Sequence, residues 1–127
     1  MSKEKREVTM KKTVVVIFND NDAALNAGSH VALRMSQVNK EVGVELEVYL
    51  FGPGQAAYSS IAENGVKADY IKNIDDLIAA GIKVTACKNT AESKGTTEAL
   101  KAKGVHLEFA RDAYLRYGAE GASVINF

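Results

Sequence analysis

The single cysteine of the chain, Cys87, closes the apolar run Gly81-Ile-Lys-Val-Thr-Ala and is followed at once by Lys88-Asn89-Thr90-Ala-Glu92. Ile82, Val84 and Ala86 carry the β-branched and small apolar content that predicts a buried strand. Asn89, with Glu92 three residues on, predicts a capping box that opens a helix with Asn89 as its N-cap. A thiol at such a junction faces unpaired backbone N–H groups and the positive end of a helix, with Lys88 alongside. All three favour the thiolate, the form of cysteine that reacts. The competing reading is that Cys87 is a small buried hydrophobe, as free cysteines often are.

Several other chemistries are excluded by spacing. A phosphatase loop requires an arginine six residues after its cysteine, and Ser93 stands there. A dithiol redox pair requires a second cysteine, which the chain lacks, as it lacks the thiols of a multi-cysteine zinc site. His30 falls within a helical stretch and His106 second in a strand, so neither is placed to act as a base for Cys87. Asp20 and Asp22 resemble the start of a calcium loop, but Leu25 and Val31 occupy its glycine and closing glutamate positions. No metal site or cofactor is expected. Gly52-Pro53-Gly54-Gln55-Ala56-Ala57 matches a dinucleotide fingerprint formally; it follows the second strand and its proline removes an amide donor, so it reads as a strand-ending turn.

These residues need elements to hold them. Residues 13–18 (TVVVIF) suit a central parallel strand, and Asn19 to Asp22 offer N-caps for a helix. Leu25, Gly28, Ala32, Met35, Val38 and Val42 follow at spacings of three and four, on one helical face that Gly43 closes. Residues 44–51 form a second strand whose Glu45 and Glu47 suggest a position nearer an edge. A short helix over 55–64, a loop over 66–73 and a short helix carrying Ile74, Leu77 and Ile78 precede the cysteine strand. A helix over 90–103, weakened by Gly95, then leads to a strand over 105–109. A short helix over 110–117 and a closing strand over 122–127 complete the chain. Strands interleaved with helices predict a three-layer α/β/α sandwich with a mainly parallel five-stranded sheet, in one domain over 13–127 after a polar tail over 1–12. Sites in such sheets lie beyond the carboxyl ends of the strands, which predicts one rim shared by Asn19, Asp20, Gly52, Pro53, Gly54 and the Cys87 segment.

Composition narrows the setting. Lys+Arg and Asp+Glu both number 16, so no global charge draws the protein to nucleic acid or an anionic membrane. Residues 1–12 lack the apolar core of a signal peptide, and no apolar run nears the roughly 20 residues of a spanning helix. A cytoplasmic protein with a reduced thiol is expected.

From Lys12 onward the chain resembles the DsrE/DsrF-like family of small sulfur-relay proteins. The resemblance rests on TVVVIFND, VYLFGPG, the Val-Thr-Ala-Cys87-Lys-Asn-Thr90 segment, Gly104-Val105 and the final Glu120-Gly121-Ala-Ser-Val-Ile. It implies a compact α/β subunit assembled into trimers or hexamers, with Cys87 as the carrier of sulfane sulfur in persulfide form. The amides of Lys88, Asn89 and Thr90 would then stabilise the sulfur anion, and donor and acceptor proteins or small sulfane-sulfur compounds would be the partners. With one cysteine, any relay passes sulfur to another protein or another copy. Tyr114, Leu115 and Tyr117 are expected at a subunit interface. The alternative function is a non-catalytic oligomeric module that binds a small anionic ligand or protein partner, with Cys87 as passive lining.

Overall fold

A computed structural model describes residues 11–127. Five strands, β1 (Lys11–Ile17), β2 (Val44–Leu50), β3 (Lys83–Cys87), β4 (His106–Glu108) and β5 (Ser123–Asn126), form one all-parallel sheet in the order β4-β3-β2-β1-β5. The helices are α1 (Asp22–Met35), α2 (Gly52–Tyr58), α3 (Gly65–Ala79), α4 (Lys88–Lys94), α5 (Thr97–Ala102) and α6 (Ala110–Glu120). The expected α/β sandwich is the fold found.

The strand order dictates the layers. From β1 to β4 the chain steps across the sheet in one direction, and right-handed crossovers put every intervening helix on one face. The step from β4 back to β5 reverses direction, so α6 alone covers the other face. The two cores follow: Val15, Ile17, Val48, Leu50 and Val84 pack with residues of α1 to α5, whereas Val14, Val16, Tyr49 and Cys87 pack with Ala113 and Tyr117 of α6. At the carboxyl ends of β3 and β4 the chain therefore leaves toward opposite faces, and a crevice opens between them.

Several expectations are corrected. Lys12 belongs to β1 rather than a tail: its ammonium is buried and bonded to Glu47 (3.1 Å) and Glu120 (3.0 Å). Residues 1–10 of the expected tail lie outside the described residues. Strand β2 lies between β1 and β3, not near an edge; Glu47 breaks its apolar pattern because it is a buried ion-pair centre. The first helix stops at Met35, and turns run on to Gly43 with Val42 68 % exposed. The stretch over 66–73 is helix, part of α3, whose Tyr70, Asn73, Ile74 and Leu77 are buried at helical spacing. Asn73 donates to Ser29 Oγ of α1 (3.1 Å), tying the two helices together. The expected helix over 90–103 is two, because Gly95 adopts φ 70°, a left-handed cap that ends α4.

Candidate functional site

Cys87 is the last residue of β3 and itself the N-cap of α4; Asn89 lies inside that helix and does not cap it. The pairing of β2 with β3 ends at Leu50 and Ala86, so the Cys87 peptide has lost its strand neighbour on that side. Gln55 of α2 replaces it. The Cys87 N–H donates to Gln55 Oε1 (2.9 Å), and Gln55 Nε2 donates to the Cys87 carbonyl (3.1 Å). Gln55 is 1 % exposed, so this paired amide extends the ladder by one residue in a dry setting. On the other side Cys87 pairs in register with Glu108 of β4.

Gln55 reaches this position because α2 folds tightly onto β1. The Gly54 N–H donates to the Phe18 carbonyl (2.7 Å), and a Cβ on Gly54 would collide with the Ile17 carbonyl oxygen. Pro53 occupies the first turn of α2, where its missing N–H has no intrahelical partner to lose. The Gly-Pro-Gly segment is thus a strand-to-helix turn that positions Gln55.

The Cys87 side chain is 3 % exposed and forms the floor of a cavity of about 400 Å³ lined by Phe51, Asn89, Phe109, Ala110 and Arg111. Burial alone pushes the thiol pKa up. Hydrogen bonds from the Thr90 N–H and hydroxyl, the Ala110 N–H and the Asn89 N–H outweigh it, and the net shift is downward. These donors come from two separate junctions, β3 to α4 and β4 to α6, which the divergent crevice brings together. Lys88 is not part of this lining: its Nζ stands 5.2 Å over the Phe109 ring, and the residue lines the separate hollow that holds His106.

Tyr49 shares the buried cluster of Cys87. Its residue pairs with Thr85, and its fully buried side chain spans β3 to donate from its hydroxyl to the Glu108 carbonyl (3.0 Å). One layer below, Glu47 accepts from Arg116 (2.8 Å), Tyr117 (2.7 Å), Thr85 (3.0 Å) and Lys12 (3.1 Å). Arg116 also grips the Glu108 carboxylate (2.7 Å). Burial pushes the Glu47 carboxyl up, but the bonds from Arg116, Tyr117 and Lys12 prevail and hold it at about 2. This network pins α6, and with it the Ala110 amide, onto the sheet below the thiol.

The expected common rim is divided. Asp20, Gly52 and Pro53 line a second hollow with Ala56, Thr90, Ser93 and Lys94, while Cys87 and Asn89 line the first. The Asn19 N–H bonds the Phe127 carbonyl at 3.3 Å. Tyr117, expected at an interface, is buried on Glu47; Leu115 is 69 % exposed and Tyr114 partly so. His30 bonds its own helix, and His106 lines a separate hollow. Among the described residues no three His, Cys, Asp or Glu side chains converge on a metal position. The cavity residues Phe51, Phe109, Ala110 and Arg111, and the supports Tyr49 and Gln55, are additions to the site expected from sequence.

No family model and no curated protein matches the chain. Among the solved structures that share its fold are the following two. A conserved protein of unknown function, BT1422 from Bacteroides thetaiotaomicron, is 17 % identical with a TM-score of 0.75, over 92 % of this chain and 95 % of that one. The ychN protein from E. coli is 15 % identical with a TM-score of 0.62, over 91 % and 99 %. At these identities the likeness is one of fold alone, an α/β arrangement of a five-stranded parallel sheet with its helices.

Proposed function

We propose that the protein is a sulfur carrier that holds sulfane sulfur as a persulfide on Cys87 and passes it to a partner. The observation that carries this reading is the placing of Cys87, at the carboxyl end of β3, on the floor of a cavity that Asn89 of α4 and Ala110 of α6 also line, so that two strand–helix junctions meet at one sulfur. The downward shift of the thiol, with Thr90, Ala110 and Asn89 as its causes against burial, agrees with it. In the loading step the Cys87 thiolate attacks the outer sulfur of a donor R–S–SH. The new S–S bond forms as the donor's bond breaks, the electron pair leaves on R–S⁻, and Cys87 becomes Cys87–S–SH with no net oxidation. Transfer to an acceptor thiolate repeats the exchange and returns Cys87 as a thiolate.

The resemblance to the DsrE/DsrF-like family supports the same reading and carries with it a trimeric or hexameric assembly; a cytoplasmic setting, where a free thiol stays reduced, belongs to the same reading. Among the described residues no helix is long and apolar enough to cross a membrane. A binding module is the second reading, favoured by the near-complete burial of Cys87. Intact mass after incubation with polysulfide, with and without reductant, decides between them. A reductant-sensitive gain of sulfur in the native protein, absent in Cys87→Ser, is the expected result. An unmodified wild-type protein whose thiol reacts only on unfolding refutes the carrier.

A further inference from the structure

The edge of the sheet at β4 carries a hollow of about 430 Å³ that shares no lining residue with the cysteine cavity. Val105 and Leu107 supply its apolar side. Around them stand Lys88 at the start of α4 with Glu92 one turn on, Thr97 and Lys101 of α5, and His106 of β4. Local backbone geometry builds this arrangement. Gly95, in the left-handed conformation, ends α4 and redirects the chain into α5, and the Thr96 N–H donates to the Ala91 carbonyl (2.9 Å). At the far end of α5 the Val105 N–H donates to the Leu100 carbonyl (3.1 Å), which sets the chain onto β4. Thr97 and Lys101 are four residues apart on α5, so they share one helical face.

The charges in the hollow lack the partners that other lysines have. Lys103 pairs with Asp75 (3.5 Å) and Lys72 with Asp76 (2.9 Å), whereas among the described residues neither Lys88 nor Lys101 has a carboxylate within ion-pair distance. Lys88 precedes Glu92 by one turn, the weaker order for a helical Lys–Glu pair, and its Nζ stands over the Phe109 ring instead. Two ammonium groups, a hydroxyl and an imidazole thus accompany one carboxylate, in a protein whose net charge is zero. We propose that this hollow binds a small organic anion, whose phosphate or carboxylate group is held by Lys88 and Lys101. Ammonium groups serve such oxyanions as point charges, and the Thr97 hydroxyl adds a neutral donor. Val105 and Leu107 receive the carbon skeleton, in a volume within the roughly 300–1,000 Å³ of small-molecule sites. Glu92 narrows the class: it accepts from a hydroxyl or amino group on the ligand and repels a molecule that is anionic on every side.

The site is independent of the carrier reading. Phe109, under the Lys88 ammonium, lines the cysteine cavity, so the two hollows are neighbours; with no residue in common, an anion held at Lys88 and Lys101 does not require that Cys87 carry sulfur. The cysteine cavity is the poorer place for such a ligand. Its one cation is Arg111, whose Nε is already bonded to Asp112 (3.0 Å).

The test is an NMR titration of the isotope-labelled full chain with glycerol phosphate and, separately, with malate, at fixed ionic strength. Both probes carry a hydroxyl beside the anion and differ in its kind. Wild type is compared with Lys88→Gln, Lys101→Gln and the control Lys72→Gln, all exposed positions, with thermal melting as a check of folding. The expected result is a saturable shift of the Thr97, His106 and Leu107 amides with at least one anion. Its affinity falls about tenfold in Lys88→Gln and in Lys101→Gln, the loss of one charged hydrogen bond, and holds in Lys72→Gln. Saturation by glycerol phosphate alone identifies a phosphate ester, by malate alone a carboxylate, and by both the shared charge. No saturable shift with either anion overturns the proposal. So does an affinity that Lys88→Gln or Lys101→Gln leaves unchanged, or that Lys72→Gln lowers as much, which would mark diffuse attraction to surface charge.

Discussion

Replacing Glu47 by glutamine keeps the shape of the side chain and removes the charge on which Arg116 and Lys12 converge. Glu47 is 1 % exposed, so the lost anion cannot be replaced by water. Removing one partner from a buried ion pair destabilises by about 3–5 kcal/mol, because the other charge is left uncompensated. A domain of this size has a total stability of roughly 5–15 kcal/mol, so the variant folds with a reduced margin. The pH dependence gives an independent measure. The folded carboxyl is held at about 2 against an ordinary 4.5, so its contribution is fully present above 4.5 and lost as pH falls toward 2. That shift corresponds to about 3 kcal/mol, and near the middle of the window the slope approaches about 1 kcal/mol per pH unit. Urea denaturation followed by far-UV circular dichroism, on both proteins between pH 7 and pH 3, reads both effects. The two proteins differ only at position 47, so the difference between the two curves reads the loss of that carboxylate. Stabilities within 1 kcal/mol at pH 7, or parallel curves below pH 5, would refute the reasoning.

Two further outcomes follow from the site. Gln55→Leu leaves the Cys87 N–H buried without its partner, a loss of about 1–3 kcal/mol, and removes the side-chain bond to the Cys87 carbonyl, so it should lower the urea midpoint clearly; a midpoint equal to wild type would show that the N–H is paired some other way. Thr90→Val removes the hydroxyl donor to the thiolate while keeping side-chain volume, so the Cys87 pKa should rise, the neutral-pH thiolate fraction fall and alkylation slow; an unchanged pH–rate profile would leave the backbone amides as the sole support.

The fold was legible wherever one residue's role was local. The β-branched run of β1, the Asn21 cap whose Oδ1 accepts from the Ala24 N–H (2.9 Å), and the Gly95 break each follow from backbone preferences within a few residues. Errors arose where a polar residue had a distant partner. Glu47 reads as an exposed position because a carboxylate inside a central strand is tolerable only with Arg116, 69 residues away, and Lys12, 35 residues away. Lys12 reads as tail for the same reason. The α3 stretch was misread differently: Tyr70, Asn73, Ile74 and Leu77 do carry the helical period, but Asn73 interrupts its apolar content, and its burial is explained only by Ser29 of α1.

The candidate site divides along the same line. Cys87, Asn89 and Thr90 sit in one strand–helix junction, so their grouping needs nothing beyond the order of residues. The other half is assembled by topology. The reversal from β4 to β5 sends the chain to the opposite face, and that turn alone delivers Phe109, Ala110 and Arg111 to the cavity. Gln55 and Tyr49 add a second kind of invisibility, because each acts through backbone groups of another strand, which leave no trace in residue type. Parity along β2 was the available signal: Tyr49 falls two residues after Glu47, hence on the same face, toward whichever element covers Cys87. Read with the strand order, that parity puts Tyr49 and Cys87 in one buried cluster beneath α6. Against burial, the lowered pKa of the Cys87 thiol therefore draws first on its own junction, Thr90 above all, and then on Ala110 across the β3–β4 divergence, so variants that disturb α6 should alter the thiol as well as variants of Thr90.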